Sequence, residues 1–225
     1  MPLLAVELIP LGIASALIPL PLIVTVLLLR SPTGKAAAAA WLGGQIAARL
    51  VQGLLIALLF DRAYGASDGA KKGPALSAVL IVLGILLYVL AARKALHAPD
   101  DDAPPPSWMT SLEAATPGRA FLLGAGLMAI SVKFWVFTLG ATGGIAYAGL
   151  DPAPSIAVYL AWIVLACSVQ FALLLAAVVA PSRADALLAR VGDLLGRYGR
   201  PLLVVVGLLF GSIFLSEGLV GLGVL

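Results

Sequence analysis

Long apolar segments alternate with short polar connections along the chain. A helix rises about 1.5 Å per residue, so about 20 apolar residues cross a hydrocarbon core about 30 Å thick. The pattern predicts six membrane-spanning helices, at residues 3–29, 36–60, 74–96, 119–147, 153–180 and 201–223. The fold class it indicates is therefore an all-α integral membrane protein with six transmembrane helices.

Composition agrees with this prediction and excludes other classes. Hydrophobic residues make up 62% of the chain and charged residues 11%, whereas soluble domains average about 25% charged residues. The single cysteine, Cys167, excludes an internal disulfide or a CxxC redox centre, and a lone His97 argues against a histidine metal site. The sequence contains no nucleophile–base pair, metal-ligand cluster or nucleotide motif. We expect no enzyme, no cofactor and no bound metal, and the net charge of +3 does not call for a nucleic-acid partner.

Basic residues are distributed unevenly between the two sides of the predicted membrane. One side carries Arg30, Lys35, Arg93, Lys94, Arg119, Arg183, Arg190, Arg197 and Arg200, and the other carries Arg62, Lys71 and Lys72. Cytoplasmic connections are enriched in Lys and Arg. We therefore expect a multi-pass protein of the cytoplasmic (inner) membrane with both termini outside.

The connections predict the domain organisation. Residues 1–96 form a first three-helix repeat, and residues 119–225 form a second. The linker 97–118 begins with an acidic and proline-rich part that we expect to be disordered. Residues 182–199 predict an amphipathic helix at the inner leaflet, either an ordinary surface linker or a lipid-recruiting element.

Two charged residues are predicted near the middle of the bilayer. Arg49 lies 14 residues beyond Lys35, and Lys133 lies 14 beyond Arg119, which places each about 21 Å along its helix. A charge at that depth costs about 2.5–3.5 kcal/mol on the insertion scale. Each cation therefore needs a polar cavity, an anionic partner or a substrate. Two structural alternatives are that Arg49 reaches the outer interface and that Lys133 pairs with an acid, Glu7 or Glu217.

Pro19 and Pro21 fall in the middle of the first span. Each lacks a backbone N–H, and together they remove the helical partners of the Ser15 and Leu17 carbonyl groups. Non-helical backbone at that depth is stable only where protein or water satisfies it. The pair therefore predicts a helix break beside a polar cavity, with a simple kink as the alternative.

The two halves of the chain show a weak internal repeat. "LGIASALIPLP" (11–21) aligns with "LGAGLMAISVK" (123–133), which pairs Pro19 with Ser131 and Pro21 with Lys133. Three spans per half imply opposite insertion, and such inverted repeats are typical of secondary transporters with midplane binding sites. "GGQIAA" (43–48) and "GATGG" (140–144) allow close helix packing within one chain or in a homo-oligomer.

The chain resembles the LysE superfamily of six-helix exporters, and within it the actinobacterial GAP family of sulfolipid- or peptidoglycolipid-addressing proteins. The resemblance rests on residues 11–44, 116–141 and 197–219. The Ser-Pro-x-Pro motif of the first span is kept at Pro19 and Pro21, with Ile18 in place of serine. The Asn-Pro-Lys motif of the fourth span is reduced to Lys133, which predicts an unbroken fourth helix.

The resemblance and the midplane cations together predict a transporter that exports a lipid-like or amphiphilic anionic substrate by alternating access. One alternative is a small-solute exporter of amino acids, and another is a non-transporting accessory subunit of a lipid-export machine. The expected partners are membrane lipids and the anionic substrate itself. The candidate substrate-binding residues are Lys133, Arg49, Pro19, Pro21, Ser131, Ser15 and Gln45.

Overall fold

The computed structural model describes residues 2–31, 34–64, 74–96 and 115–224. Within these ranges the regular structure is helical throughout, which confirms the expected all-α fold. The helices are α1 (Pro2–Ala16), α2 (Pro19–Arg30), α3 (Gly34–Tyr64), α4 (Pro74–Leu96), α5 (Pro117–Ile130), α6 (Val132–Tyr147), α7 (Pro152–Ala166), α8 (Ser168–Val179) and α9 (Pro181–Gly221). Residues 97–114 of the predicted linker lie outside the described residues.

Length and apolar composition identify one straight helix in the described chain that could cross a membrane, Gly34–Leu58. The number rises to four if each of three bent helix pairs is one span, namely α1 with α2, α5 with α6 and α7 with α8. A shorter apolar helical segment covers Gly207–Gly221. The described helices therefore support between one and four spans, and the six-span arrangement stays a prediction.

The predicted break in the first apolar segment is confirmed. The segments Leu8–Ala16 and Pro19–Arg30 meet at an angle of 46°, and Ile18 between them has extended backbone (φ −62°, ψ 122°). Pro19 opens α2 at a position where a missing N–H costs nothing. The two prolines thus end one helix and begin the next.

The prediction of an unbroken fourth segment is wrong. α5 and α6 are bent by 72° at Ser131, whose backbone is extended (φ −82°, ψ 110°). No proline is needed because side chains satisfy the carbonyl groups at the end of α5. Gln52 Nε2 donates to Met128 O at 2.8 Å, and Trp135 Nε1 donates to Ala129 O at 2.8 Å. Side-chain donors thus replace the backbone donors that the break removes.

A third break interrupts the apolar segment that the sequence predicted as one helix over 153–180. α7 and α8 are bent by 61° at Cys167, whose backbone leaves the helical region (φ −105°, ψ 3°). Hydrogen bonds continue across the bend, from Cys167 N to Ile163 O at 3.0 Å and from Phe171 N to Cys167 O at 2.9 Å. The bend therefore sacrifices little backbone bonding.

Contacts divide the chain into two compact units, the first formed by Met1–Ala66 with Pro104–Leu195. In this unit α3 packs closely on α5 through two glycines. A Cβ on Gly44 would lie 2.0 Å from Phe121 O, and one on Gly124 would lie 2.2 Å from Trp41 O. The close packing expected of "GGQIAA" is confirmed at Gly44.

The second unit consists of Ser67–Ala103 with Gly196–Leu225. Here α4 packs against the end of α9, again through small residues. A Cβ on Gly211 would lie 3.2 Å from Gly84 O, and one on Gly218 would lie 2.8 Å from Ser77 O. The predicted three-helix repeats remain a prediction, because compact units and sequence repeats need not coincide.

The sequence predicted an amphipathic helix over 182–199 and a separate span from 201. A helix is present there, but it is continuous with the last apolar segment through Pro201 as α9. A proline removes one backbone hydrogen bond and bends a helix without necessarily ending it. Arg190 and Arg197 on the first part of this helix are exposed, and a position flat on the inner leaflet stays a prediction.

Candidate functional site around Arg49

One face of α3 carries the polar residues of an otherwise apolar helix. Gln45, Arg49 and Gln52 follow one another at helical spacing and are 1%, 1% and 2% exposed. Leu50, Val51, Leu54 and Leu55 on the other face are exposed. The polar face of α3 is therefore turned into the protein and the apolar face outward, as expected of a membrane helix that packs against other helices on its polar side.

Arg49 is held by a hydroxyl group and two aromatic rings. Its Nη2 donates to Ser15 Oγ at 2.8 Å. Its Cζ lies 5.7 Å from the centre of the Phe134 ring and 5.3 Å from that of Trp162, within the range of cation–π attraction. Because the residue is 1% exposed, the alternative in which Arg49 reaches the outer interface is wrong.

Each of the three broken helix pairs contributes a contact to this guanidinium. Ser15 lies in the last turn of α1, and Phe134 lies in the first turn of α6. Trp162, whose ring centre lies 5.3 Å from the Arg49 Cζ, belongs to α7 of the third pair. A continuous helix thus presents one cation at the point where three interrupted helices meet. Interrupted helices around a central site are a common plan of secondary transporters.

Tyr159 fixes the backbone of α3 beside Arg49. Its hydroxyl donates to Arg49 O at 2.6 Å, and its ring stacks on Trp162 with centroids 5.8 Å apart. The ring lies against Gly53, where an added Cβ would be 2.4 Å from it. Gly53 therefore makes the space that lets Tyr159 reach the backbone at Arg49.

Several buried N–H groups near Arg49 have no hydrogen-bond partner among the described residues. They are Nε and Nη1 of Arg49, Nε2 of Gln45 and Nε1 of Trp162. Leaving a buried donor unsatisfied costs about 1–3 kcal/mol, and more for a charged group. Within the described part of the chain, no carboxylate is in contact with Arg49. The site therefore has an excess of donors over acceptors.

Lys133 lies close to this cluster on the first turn of α6. Its side chain is half-buried, and its Nζ is 5.3 Å from the centre of the Phe134 ring. Both cations thus contact the same ring. The contact to the first helix break is made by Arg49, and the partner expected for Lys133 there stays a prediction. The side chains of Glu7 and Glu217 lie outside the described residues.

Ser131 and the two prolines occupy the breaks themselves. Pro19 and Pro21 are buried, and Ser131 is half-buried. The Pro21 carbonyl accepts hydrogen bonds from Thr25 Oγ1 at 2.8 Å and from Gln170 Nε2 at 3.2 Å. Among the predicted site residues, Arg49 and Ser15 are in direct contact. Gln45 lies one helical turn before Arg49 on α3.

A glutamine and a threonine form a hydrogen bond at two places in the structure. Gln170 Nε2 donates to Thr25 Oγ1 at 3.1 Å. In the other contact the direction is reversed, and Thr138 Oγ1 donates to Gln52 Oε1 at 3.1 Å. Each threonine hydroxyl also bonds the carbonyl oxygen four residues earlier, Pro21 O at 2.8 Å and Phe134 O at 3.0 Å respectively. A glutamine from a neighbouring segment thus joins the same threonine position in α2 and in α6.

The two threonines occupy the same position relative to the start of their helices. Thr25 follows the first residue of α2, Pro19, by the same number of positions as Thr138 follows the first residue of α6, Val132. In this register Pro19 corresponds to Val132. This register differs by one residue from the sequence alignment, which pairs Pro19 with Ser131, and the internal repeat stays a prediction.

Comparison with protein families adds an independent finding. The family model of Sap, the sulfolipid-1-addressing protein, matches residues 8–220. The chain belongs to this family. No curated protein and no solved structure matches the chain. An all-helical, strongly apolar member of this family is a membrane protein.

Several residues at the centre of this family member were missed by the sequence reasoning. Trp162, Tyr159, Gln52, Thr138, Gln170 and Thr25 complete the Arg49 cluster and the two glutamine–threonine contacts. A usable signal was present in Gln52, which follows Arg49 by one helical turn. Gln170 was also visible as an amide within a long apolar run. Their partners could not be found, because they lie more than 80 residues away in sequence.

Proposed function

We propose that this protein transports a lipid-like or amphiphilic anionic substrate out across the cytoplasmic membrane by alternating access. The observation that carries the proposal is the burial of Arg49, 1% exposed, between residues of three interrupted helices. Among the described residues, its Nε and Nη1 have no hydrogen-bond partner. Membership of the sulfolipid-1-addressing family supports a lipid as the substrate.

The energy of the buried cation favours an anionic ligand. A charge at the bilayer centre costs about 2.5–3.5 kcal/mol, and one hydroxyl with two aromatic rings offsets part of it. An anionic head group would complete the hydrogen bonding of the guanidinium and neutralise it. A transported cation would instead be repelled, which disfavours cation export.

The proposed architecture has six spans arranged as two inverted three-helix repeats, 1–96 and 119–225, as in the LysE superfamily. The matched glutamine–threonine contacts support it. The second glutamine, Gln170, belongs to the segment that follows α6, and Gln52 belongs to the segment that follows α2. Each glutamine thus joins the broken segment of the other half, as a twofold relation between the halves would require.

Distances along α3 support alternating access. Val24 and Leu28 of α2 pack with Ala37, Ala38 and Trp41, which places the Thr25 contact toward the start of α3. Trp41 precedes Arg49 by about 12 Å along the helix axis, and Gln52 follows it by about 4.5 Å. The two glutamine–threonine contacts therefore lie on opposite sides of Arg49. Both contacts are formed in this structure, as an occluded state of alternating access would require.

Reconstituted transport tests the proposal. Purified protein in liposomes should speed the movement of fluorescent NBD-phosphatidylglycerol between leaflets, read as loss of dithionite-protected signal. Arg49→Gln should lose this activity, and Arg49→Lys should keep only part of it because lysine lacks the guanidinium fork. Arg30→Gln, at an exposed cation on α2, is the matched control and should transport normally.

Folding is checked on the same samples by size-exclusion chromatography and thermal melting. Folded wild-type protein that moves the lipid no faster than empty liposomes would contradict transport and favour the accessory-subunit alternative. Transport of free lysine or arginine instead of the lipid would favour the amino-acid exporter.

A further inference from the structure

The unpartnered groups around Arg49 are all N–H donors. Arg49 contributes Nε and Nη1, Gln45 contributes Nε2 and Trp162 contributes Nε1. Ser15 Oγ, the hydroxyl acceptor recorded at the guanidinium, already accepts from Nη2. A ligand that completes this site must therefore bring hydrogen-bond acceptors.

The aromatic rings direct the ligand to the rim of the guanidinium. The centres of the Phe134 and Trp162 rings lie 5.7 and 5.3 Å from the Arg49 Cζ. A further ligand of Arg49 must therefore bind to its N–H groups. Gln45 lies one helical turn before Arg49 on the same face of α3. A tetrahedral oxyanion offers several oxygens to such a set of donors, as a sulfate ester or a phosphodiester does.

An ammonium group has no place in the same cluster. Among the described side chains, the acids are Asp151, at the start of α7, and Asp193, within the first part of α9, and both are exposed. The carboxyl-terminal end of α1 could attract a cation, but Arg49 already occupies that end through Ser15. A second cation there would meet the guanidinium at close range without a carboxylate to separate them.

We infer that the site selects an acceptor-only oxyanion head group and rejects head groups that carry an ammonium, whatever their net charge. The inference rests on the proposed function and names the substrate class of that site. Arg49 provides the charge, Gln45 and Trp162 provide neutral donors, and the lack of an acid among the described side chains in contact with Arg49 provides the selectivity.

Three lipids with the same acyl chains and the same tail-linked NBD label separate the possibilities. Phosphatidylglycerol is anionic without an amine, phosphatidylserine is anionic with an ammonium, and phosphatidylcholine is zwitterionic. In proteoliposomes the first should move at least about tenfold faster than the other two, a difference equivalent to about 1.4 kcal/mol. Native mass spectrometry of the full chain should show the same order of retained unlabelled lipid.

Two variants of Gln45 form a matched pair, one that introduces a charge and one that does not. Gln45→Glu keeps the shape but adds an acceptor beside Arg49, so it should lower phosphatidylglycerol transport and retention and abolish the preference over phosphatidylserine. Gln45→Met removes the amide without adding charge and should keep the preference with weaker binding.

Phosphatidylserine moved and retained as well as phosphatidylglycerol would overturn the selectivity inference while leaving transport intact. Retention of phosphatidylglycerol in preference to phosphatidylserine, with no movement of any lipid, would uphold the site and overturn the transport function. Equal retention of all three lipids by wild type and Gln45→Glu would overturn the site.

Discussion

Arg49 and Ser15, 34 positions apart in sequence, are joined by a 2.8 Å hydrogen bond at the carboxyl-terminal end of a broken helix. The bond couples the one buried guanidinium of the described chain to the break that Pro19 and Pro21 create. A positive charge at the carboxyl-terminal end of α1 also meets the negative end of the helix dipole. Arg49 thereby stabilises the break, and the break supplies Arg49 with its hydroxyl partner.

Ser15→Ala removes the hydroxyl that accepts the hydrogen bond of Arg49 Nη2. We expect a loss of about 1–3 kcal/mol in stability, because a buried charged donor loses its partner, and Ser15→Thr should recover part of it. The measurement is the melting temperature in detergent. Ser216→Ala is a control, since Ser216 is exposed and bonds within its own helix. Equal melting temperatures for Ser15→Ala and wild type would contradict the role of the bond.

Lys133→Met tests the second cation that contacts Phe134. Methionine keeps length and apolar bulk while deleting the charge, so transport should be lost while thermal stability stays equal or rises. A structural role would give the opposite result, with lower stability and activity that follows the folded amount. Full transport by a stable Lys133→Met protein would exclude a role in transport.

Gly44 and Gly126 form a matched pair of glycines for testing helix packing. A Cβ at Gly44 would lie 2.0 Å from Phe121 O, whereas one at Gly126 would meet nothing within 4 Å. Gly44→Ala should destabilise the protein by about 1–3 kcal/mol through overpacking. Gly126→Ala should be neutral or stabilise it by up to about 1 kcal/mol. Thermal melting of both variants decides, and equal effects would contradict the close approach of α3 and α5.

The two glutamine–threonine contacts should open during transport. In a Cys167→Ala background, cysteines at Thr25 and Gln170, or at Thr138 and Gln52, should cross-link and stop transport, because alternating access must separate each pair in turn. A reducing agent should restore activity. A cross-linked protein, verified by mass, that still transports at the normal rate would contradict a gating role for that contact.

The orientation is tested by labelling. In the same cysteine-free background, Arg190→Cys on α9 should react with a membrane-impermeant maleimide only after the cells are opened, since its side is rich in basic residues. Labelling from outside intact cells would reverse the predicted orientation.

The sequence alone determined the helical class and the first break. In long apolar runs a helix satisfies every backbone hydrogen bond within the segment itself. Prolines interrupt a helix locally, so Pro19 and Pro21 were sufficient to predict the position of the first break. The sequence also identified Arg49 as a candidate site residue, because placing a charge among apolar membrane residues costs free energy unless the fold supplies a partner.

Tertiary structure alone decided the other two breaks and the partners of Arg49. The break at Ser131 depends on Gln52, 76 positions away in sequence, whose amide donates to the Met128 carbonyl group of α5, and no local motif encodes that contact. The aromatic rings, Tyr159 and the paired glutamines reach Arg49 or the breaks from segments far along the chain. Such contacts depend on how helices pack against each other, which the spacing of residues within one helix does not specify.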